Sequence, residues 1–102
     1  MEHNNASLLG RKQFEANEKA TRVALLRTMI RDFENVIGQL EGQIAAEEDR
    51  TRTEDPAYST FAKAATKRRQ NLLISVAHTR SMLDVAKQEF DQVSAQLREL
   101  AA

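Results

Sequence analysis

The sequence has no cysteine, no tryptophan, one proline and only three glycines among its 102 residues. Because cysteine is absent, disulfides and thiol chemistry are excluded, and a reducing compartment is permitted. Aromatic residues make up 5% of the chain, which is less than a globular core of this size usually contains. A composition with so few helix-breaking and large core residues is typical of long helices and coiled coils.

The charge balance also excludes several kinds of partner. There are 15 basic and 15 acidic residues, so the net charge is zero. A general nucleic-acid binder would show a basic excess, and electrostatic attachment to a membrane surface would need one too. The polar start of the chain has no apolar run behind it, so we expect neither a signal peptide nor direct membrane insertion.

Two runs of residues, one in each half of the chain, alternate spacings of three and four, which is the heptad pattern of helices that pair along one face. We call their members the seam residues. The first run is Leu9, Lys12, Ala16, Lys19, Val23, Leu26, Ile30, Phe33, Ile37, Leu40, Ile44 and Glu47. The second run is Tyr58, Ala62, Ala65, Arg69, Leu72, Val76, Thr79, Leu83, Ala86, Phe90, Val93, Leu97 and Leu100.

Between the two runs lies the only turn chemistry of the chain. Pro56 fits the first helical position, and Asp55 fits the N-cap before it. We therefore predict an all-α chain whose two long helices form an antiparallel coiled-coil hairpin. The prediction is one domain over residues 1–102, with helices at about 8–49 and 56–101 and a turn at about 50–55. Facing residues then have numbers that sum to roughly 105–110.

Residues that could carry catalysis or bind a metal do not converge in this pattern. His3 and His78 have no ligands at helical spacing, and we interpret both as inert. The acidic residues 47–49 are interpreted as a solvated helix end, and the basic group at 63–69 as a source of ion pairs with Glu34 and Glu41 on the facing helix. We predict no catalytic residue, no metal ligand and no cofactor, which argues against an enzyme.

Other residues point to contacts with proteins. Gly38 and Gly42 lie at outward heptad positions, where they are either simply tolerated or leave a flat patch for a partner. Several apolar residues also lie off the seam, and we interpret them as a surface for partner binding or self-association. These residues are Leu25, Met29, Val36, Phe61, Leu73, Ile74, Met82 and Val85.

The segments around the turn resemble a known family. They are Ile44-Ala45-Ala46-Glu47-Glu48, Asp55-Pro56-Ala57-Tyr58, Phe61-Ala62-Lys63-Ala64-Ala65 and Arg68-Arg69. Together with the heptads between Leu8 and Leu100, they make the chain similar to the flagellar type III export protein FliJ family, in its short, alphaproteobacterial form.

The resemblance implies a non-catalytic protein that looks like the central stalk of a rotary ATPase. The end that carries both termini would enter the hexameric export ATPase, and the rod would also contact the cytoplasmic part of the export gate and the export chaperones. The implied location is cytoplasmic, peripheral at the inner-membrane export apparatus. For the contact nearer the turn, our hypothesis is a patch of Val36, Gly38, Gly42, Leu73 and Ile74.

Two alternatives remain open at this point. The first is the equivalent stalk protein of a virulence type III secretion system, which shares the fold. The second is a generic coiled-coil chaperone or assembly hairpin that grips its clients with the turn, at residues 51–55. An enzyme would need a hidden site made by oligomerisation.

Overall fold

The described part of the chain consists of two long helices. A computed structural model describes the backbone of residues 2–50 and 56–102, and the side chains of residues 6–49 and 60–102. Helix α1 is Glu2–Arg50 and helix α2 is Pro56–Ala101. The prediction of an all-helical chain with two long helices is confirmed for the described residues.

The helix ends differ in one respect from the sequence expectation. Helix α1 begins at Glu2, well before the expected start near residue 8. The segment between these positions contains neither glycine nor proline, so nothing in it interrupts the helix. Helix α2 begins at Pro56, the residue that suits a first helical position. The predicted turn and the Asp55 cap fall on residues 51–55, which lie outside the described residues.

The chain divides into two compact units, and each contains a segment of both helices. Unit 1 is Met1–Thr28 with Arg80–Ala102, and unit 2 is Met29–Thr79. This division leaves open whether residues 1–102 behave as one domain, which stays a prediction.

The core of unit 1 consists of small and medium apolar side chains from both helices. Its buried residues are Ala16, Val23, Leu26, Leu83, Ala86 and Val93. Ala86 is the most buried of them, with 1% of its surface exposed. Small side chains let two helix backbones approach closely, but they also bury little apolar area for each residue.

The core of unit 2 combines apolar residues with one buried hydroxyl. Its buried residues are Ile37, Leu40, Ala65, Val76 and Thr79. Thr79 is 4% exposed, and its Oγ1 donates a hydrogen bond of 2.7 Å to the carbonyl oxygen of Ser75 in the same helix. The hydroxyl therefore needs no partner from the other helix, and the methyl group of Thr79 is free to pack in the core.

Burial follows the seam residues that the heptad spacing selects. From Lys12 to Glu47 on α1, every seam residue is buried or half-buried. The same holds from Ala62 to Leu97 on α2. The burial of the seam residues decreases near the chain ends, where Leu9 and Leu100 are 36% and 40% exposed. The spacing thus identifies the buried face of each helix along almost its whole described length.

The glycines provide a first test of the helix energetics. A Cβ atom added at Gly38 or Gly42 would meet nothing within 4 Å. We therefore expect Gly38→Ala and Gly42→Ala each to raise the free energy of unfolding by about 1 kcal/mol, since alanine loses less backbone entropy in a helix. Urea denaturation followed by circular dichroism measures the change. The matched control is Ala45→Gly, at an exposed position of the same helix. It should lower the free energy of unfolding by a similar amount. A loss of stability in either alanine variant would contradict this account.

The buried hydroxyl of Thr79 provides a second test. Thr79→Val keeps the shape of the side chain and removes a hydroxyl that bonds only within its own helix. We expect the free energy of unfolding to stay the same or to rise by up to about 1 kcal/mol. Thr79→Ser keeps the hydroxyl but loses the packed methyl group, and should lower it by about 1 kcal/mol. Thermal unfolding of the two variants distinguishes them, and the opposite order would show that the hydroxyl matters more than the methyl group.

Candidate protein-binding surfaces

Two seam lysines reach across unit 1 to polar residues of the other helix. Lys12 Nζ donates to Gln96 Oε1 at 2.9 Å and to Glu15 Oε2 at 3.1 Å. Lys19 Nζ donates to Glu89 Oε2 at 3.0 Å. Both lysines are half-buried, so their aliphatic stems cover the seam while their ammonium groups reach its edge. These pairs fix which residues of the two segments face each other.

In unit 2 the corresponding polar contact joins Arg69 and Glu41. Arg69 Nε donates to Glu41 Oε1 at 2.9 Å. The side chains are 38% and 51% exposed, so the interaction is solvent-screened and contributes little stability. The expectation that this part of the basic group pairs with Glu41 is confirmed.

The five residues of the predicted partner patch all belong to unit 2, but they differ in exposure. Val36 is half-buried, and both glycines are exposed. Leu73 and Ile74 are 39% and 61% exposed. Gly38 and Gly42 are one turn apart on α1, and Leu73 and Ile74 are neighbours on α2.

Heptad positions show how this set is divided. Val36 lies at position g and Leu73 at position e, and in an antiparallel pair the g and e positions border opposite edges of the seam. By heptad position, the five residues therefore form separate groups, with Ile74 presenting the largest exposed apolar side chain. Whether they bind a partner stays a prediction.

Among the residues whose side chains are described, the most exposed large apolar one was not singled out by the sequence analysis. Phe14 is 65% exposed, at an outward heptad position of α1 in unit 1. It borders a shallow, open groove on one face of α1, with a volume of about 530 Å³. The groove is lined by Phe14, Asn17, Glu18, Thr21, Arg22 and Leu25. An aromatic residue opposite the seam of an amphipathic helix is the signal that identifies this position from sequence.

A metal centre has no geometric support among the residues that the structure describes. Within 6–49 and 60–102, no three histidine or acidic side chains come together to hold an ion. His78 is exposed, and the side chain of His3 lies outside the described residues. Across the described ranges, neither helix carries an apolar stretch long enough for a bilayer crossing.

Comparison with family models, with curated proteins and with solved structures returned no match for this chain. The similarity to the flagellar export family therefore depends on the segments around the turn and the heptads between Leu8 and Leu100. A functional proposal for this chain therefore depends on the geometry of its exposed surfaces.

The Lys19–Glu89 pair yields a prediction for unit 1. The two side chains are 32% and 42% exposed, so the pair is partly screened by solvent. A double-mutant cycle of Lys19→Met and Glu89→Gln should give a coupling free energy of about 0.5 kcal/mol that shrinks in high salt. Lys19→Met alone should not destabilise the chain, because methionine suits a half-buried seam position. A coupling above about 2 kcal/mol would contradict a screened contact.

Proposed function

We propose that the two helices form an antiparallel coiled-coil hairpin. Three contacts between the helices support this arrangement, namely Lys12–Gln96, Lys19–Glu89 and Glu41–Arg69. As the residue number rises on α1 it falls on α2, and the numbers in each pair sum to 108 or 110. This sum lies within the range that the heptad spacing predicts, and the buried seam residues agree with it.

We further propose that the protein has no catalytic role and acts as a stalk in flagellar type III export. In this role it binds the hexameric export ATPase, and it connects the ATPase to the cytoplasmic part of the export gate and to substrate chaperones. Its place is in the cytoplasm, peripheral to the inner-membrane export apparatus. The similarity of the segments around the turn to the FliJ family motivates the proposal.

The observation that carries this proposal is the exposure of leucines near both chain ends, in unit 1. Leu8, Leu9 and Leu100 are 46%, 36% and 40% exposed. Leu9 and Leu100 belong to the seam, yet the described part of the chain leaves both of them partly exposed. A partner that encloses the terminal end would bury this apolar surface, which is what insertion into an ATPase ring requires.

A second contact, to the gate or to chaperones, is proposed for unit 2. The hypothesis involves Val36, Gly38, Gly42, Leu73 and Ile74, and a partner would reach these residues on more than one side of the two helices. Ile74 supplies exposed apolar area, and the two glycines leave open space in which a partner can approach the backbone of α1.

The hydrolysis rate of the purified export ATPase, measured with and without this chain, tests the stalk function. We expect stimulated hydrolysis and a larger hexamer population. Leu9→Asp with Leu100→Asp should abolish the stimulation, because it places charge on the proposed ring contact. Ile74→Asp is the matched control and should leave the stimulation intact while it weakens binding to the gate fragment.

Unchanged hydrolysis in the presence of the folded chain would contradict the flagellar stalk. A neutral linker in place of residues 51–55 then tests the chaperone alternative, because that function depends on the turn.

A further inference from the structure

The exposed groove on α1 has apolar residues at both ends and opposite charges between them. Phe14 and Leu25 are 65% and 58% exposed. They are eleven positions apart in the sequence, which places them on nearly the same line of the helix, about 20° apart around the axis and roughly 17 Å apart along it. Such a pair of separated apolar side chains can anchor another helix that lies along the groove.

Glu18 and Arg22 lie between these anchors, and both are exposed. Within the described residues neither side chain forms a hydrogen bond or an ion pair, although the two are four residues apart on one helix. Both charges lie on the same side of the line from Phe14 to Leu25, because the helix turns by about 100° per residue. The remaining lining residues, Asn17 and Thr21, are uncharged.

Two copies of this face are complementary to each other when they run in opposite directions. When a second α1 runs antiparallel along the groove, Phe14 of each copy lies opposite Leu25 of the other. In the same alignment Glu18 of each copy lies beside Arg22 of the other, since equivalent sides of two antiparallel helices meet. A two-fold axis through the middle of the groove therefore generates the apolar contact twice and the ion pair twice.

We propose that the 14–25 face of α1 binds a second copy of this chain, in an antiparallel, two-fold symmetric dimer. The charge pattern identifies the occupant, because a surface that complements itself after reversal is what an isologous interface requires. The face also continues onto α2. Arg22 lines a second groove of about 260 Å³ together with Ser81, Met82, Val85 and Glu89. Val85 is 54% exposed, so α2 adds apolar area beyond the contact of single helices.

Exchanging the charges of Glu18 and Arg22 tests the antiparallel arrangement of the two copies. Analytical ultracentrifugation of the full chain over a range of concentrations measures self-association. We expect Glu18→Arg and Arg22→Glu each to weaken it by at least about tenfold, because each change places like charges together twice. An equal mixture of the two variants should associate again, since every facing pair then carries opposite charges. The chain with both changes should also associate with itself.

Matched controls separate this interface from a general effect of charge. Asp91→Arg makes the same charge change as Glu18→Arg at an exposed site on α2 in unit 1, and it should leave self-association unchanged. Phe14→Ser should weaken association without loss of helix, as measured by circular dichroism.

Three results would overturn the dimer. They are a wild-type chain that stays monomeric at high concentration, single variants that associate as tightly as the wild type, and a mixture that fails to associate. Loss of ATPase binding in Phe14→Ser without a change in self-association would assign this face to another protein instead. The self-association measurement needs no export component, so a monomeric chain would overturn the dimer without contradicting the proposed function.

Discussion

The burial of one narrow seam on each helix is the constraint on which the other features of this chain depend. Among the described residues, the buried side chains are alanine, valine, leucine, isoleucine and one threonine, and no large side chain is fully buried. Each position therefore removes little apolar area from water, and stability has to accumulate over many helical turns. This explains why the helices are long and why every seam position between Lys12 and Glu47 is buried or half-buried.

Polar residues within the seam bury less apolar surface than apolar residues would, but they fix how the two helices are aligned. Lys12, Lys19 and Arg69 occupy seam positions, and each reaches a polar partner on the other helix. Repeating apolar heptads can slide past each other by whole heptads at modest cost, whereas a misplaced lysine would lose its partner. Thr79 differs from them, because its hydroxyl bonds within its own helix and leaves the alignment to its neighbours.

The same narrow seam leaves much apolar surface uncovered. Ile74, Phe14, Leu25 and Val85 are all more than half exposed, in both units of the chain. Two helices form no further layer that buries such residues, so this apolar surface is accessible to other proteins. The proposed contacts with an ATPase, a gate and a second copy involve different exposed residues of the chain. Each proposed contact can therefore be tested independently of the others.

The sequence by itself determined the two helices, the start of the second at Pro56 and the buried face of each, because heptad spacing and helix-breaking residues act locally. It also indicated the pairing of Arg69 with Glu41. The tertiary structure decided which charged residues pair across the helices and which stay unpaired within the described chain, as Glu18 and Arg22 do. It also revealed the exposure of Phe14 and the open space beside Gly38 and Gly42. These properties depend on how near the second helix lies to each side chain, and a repeating pattern does not fix that distance.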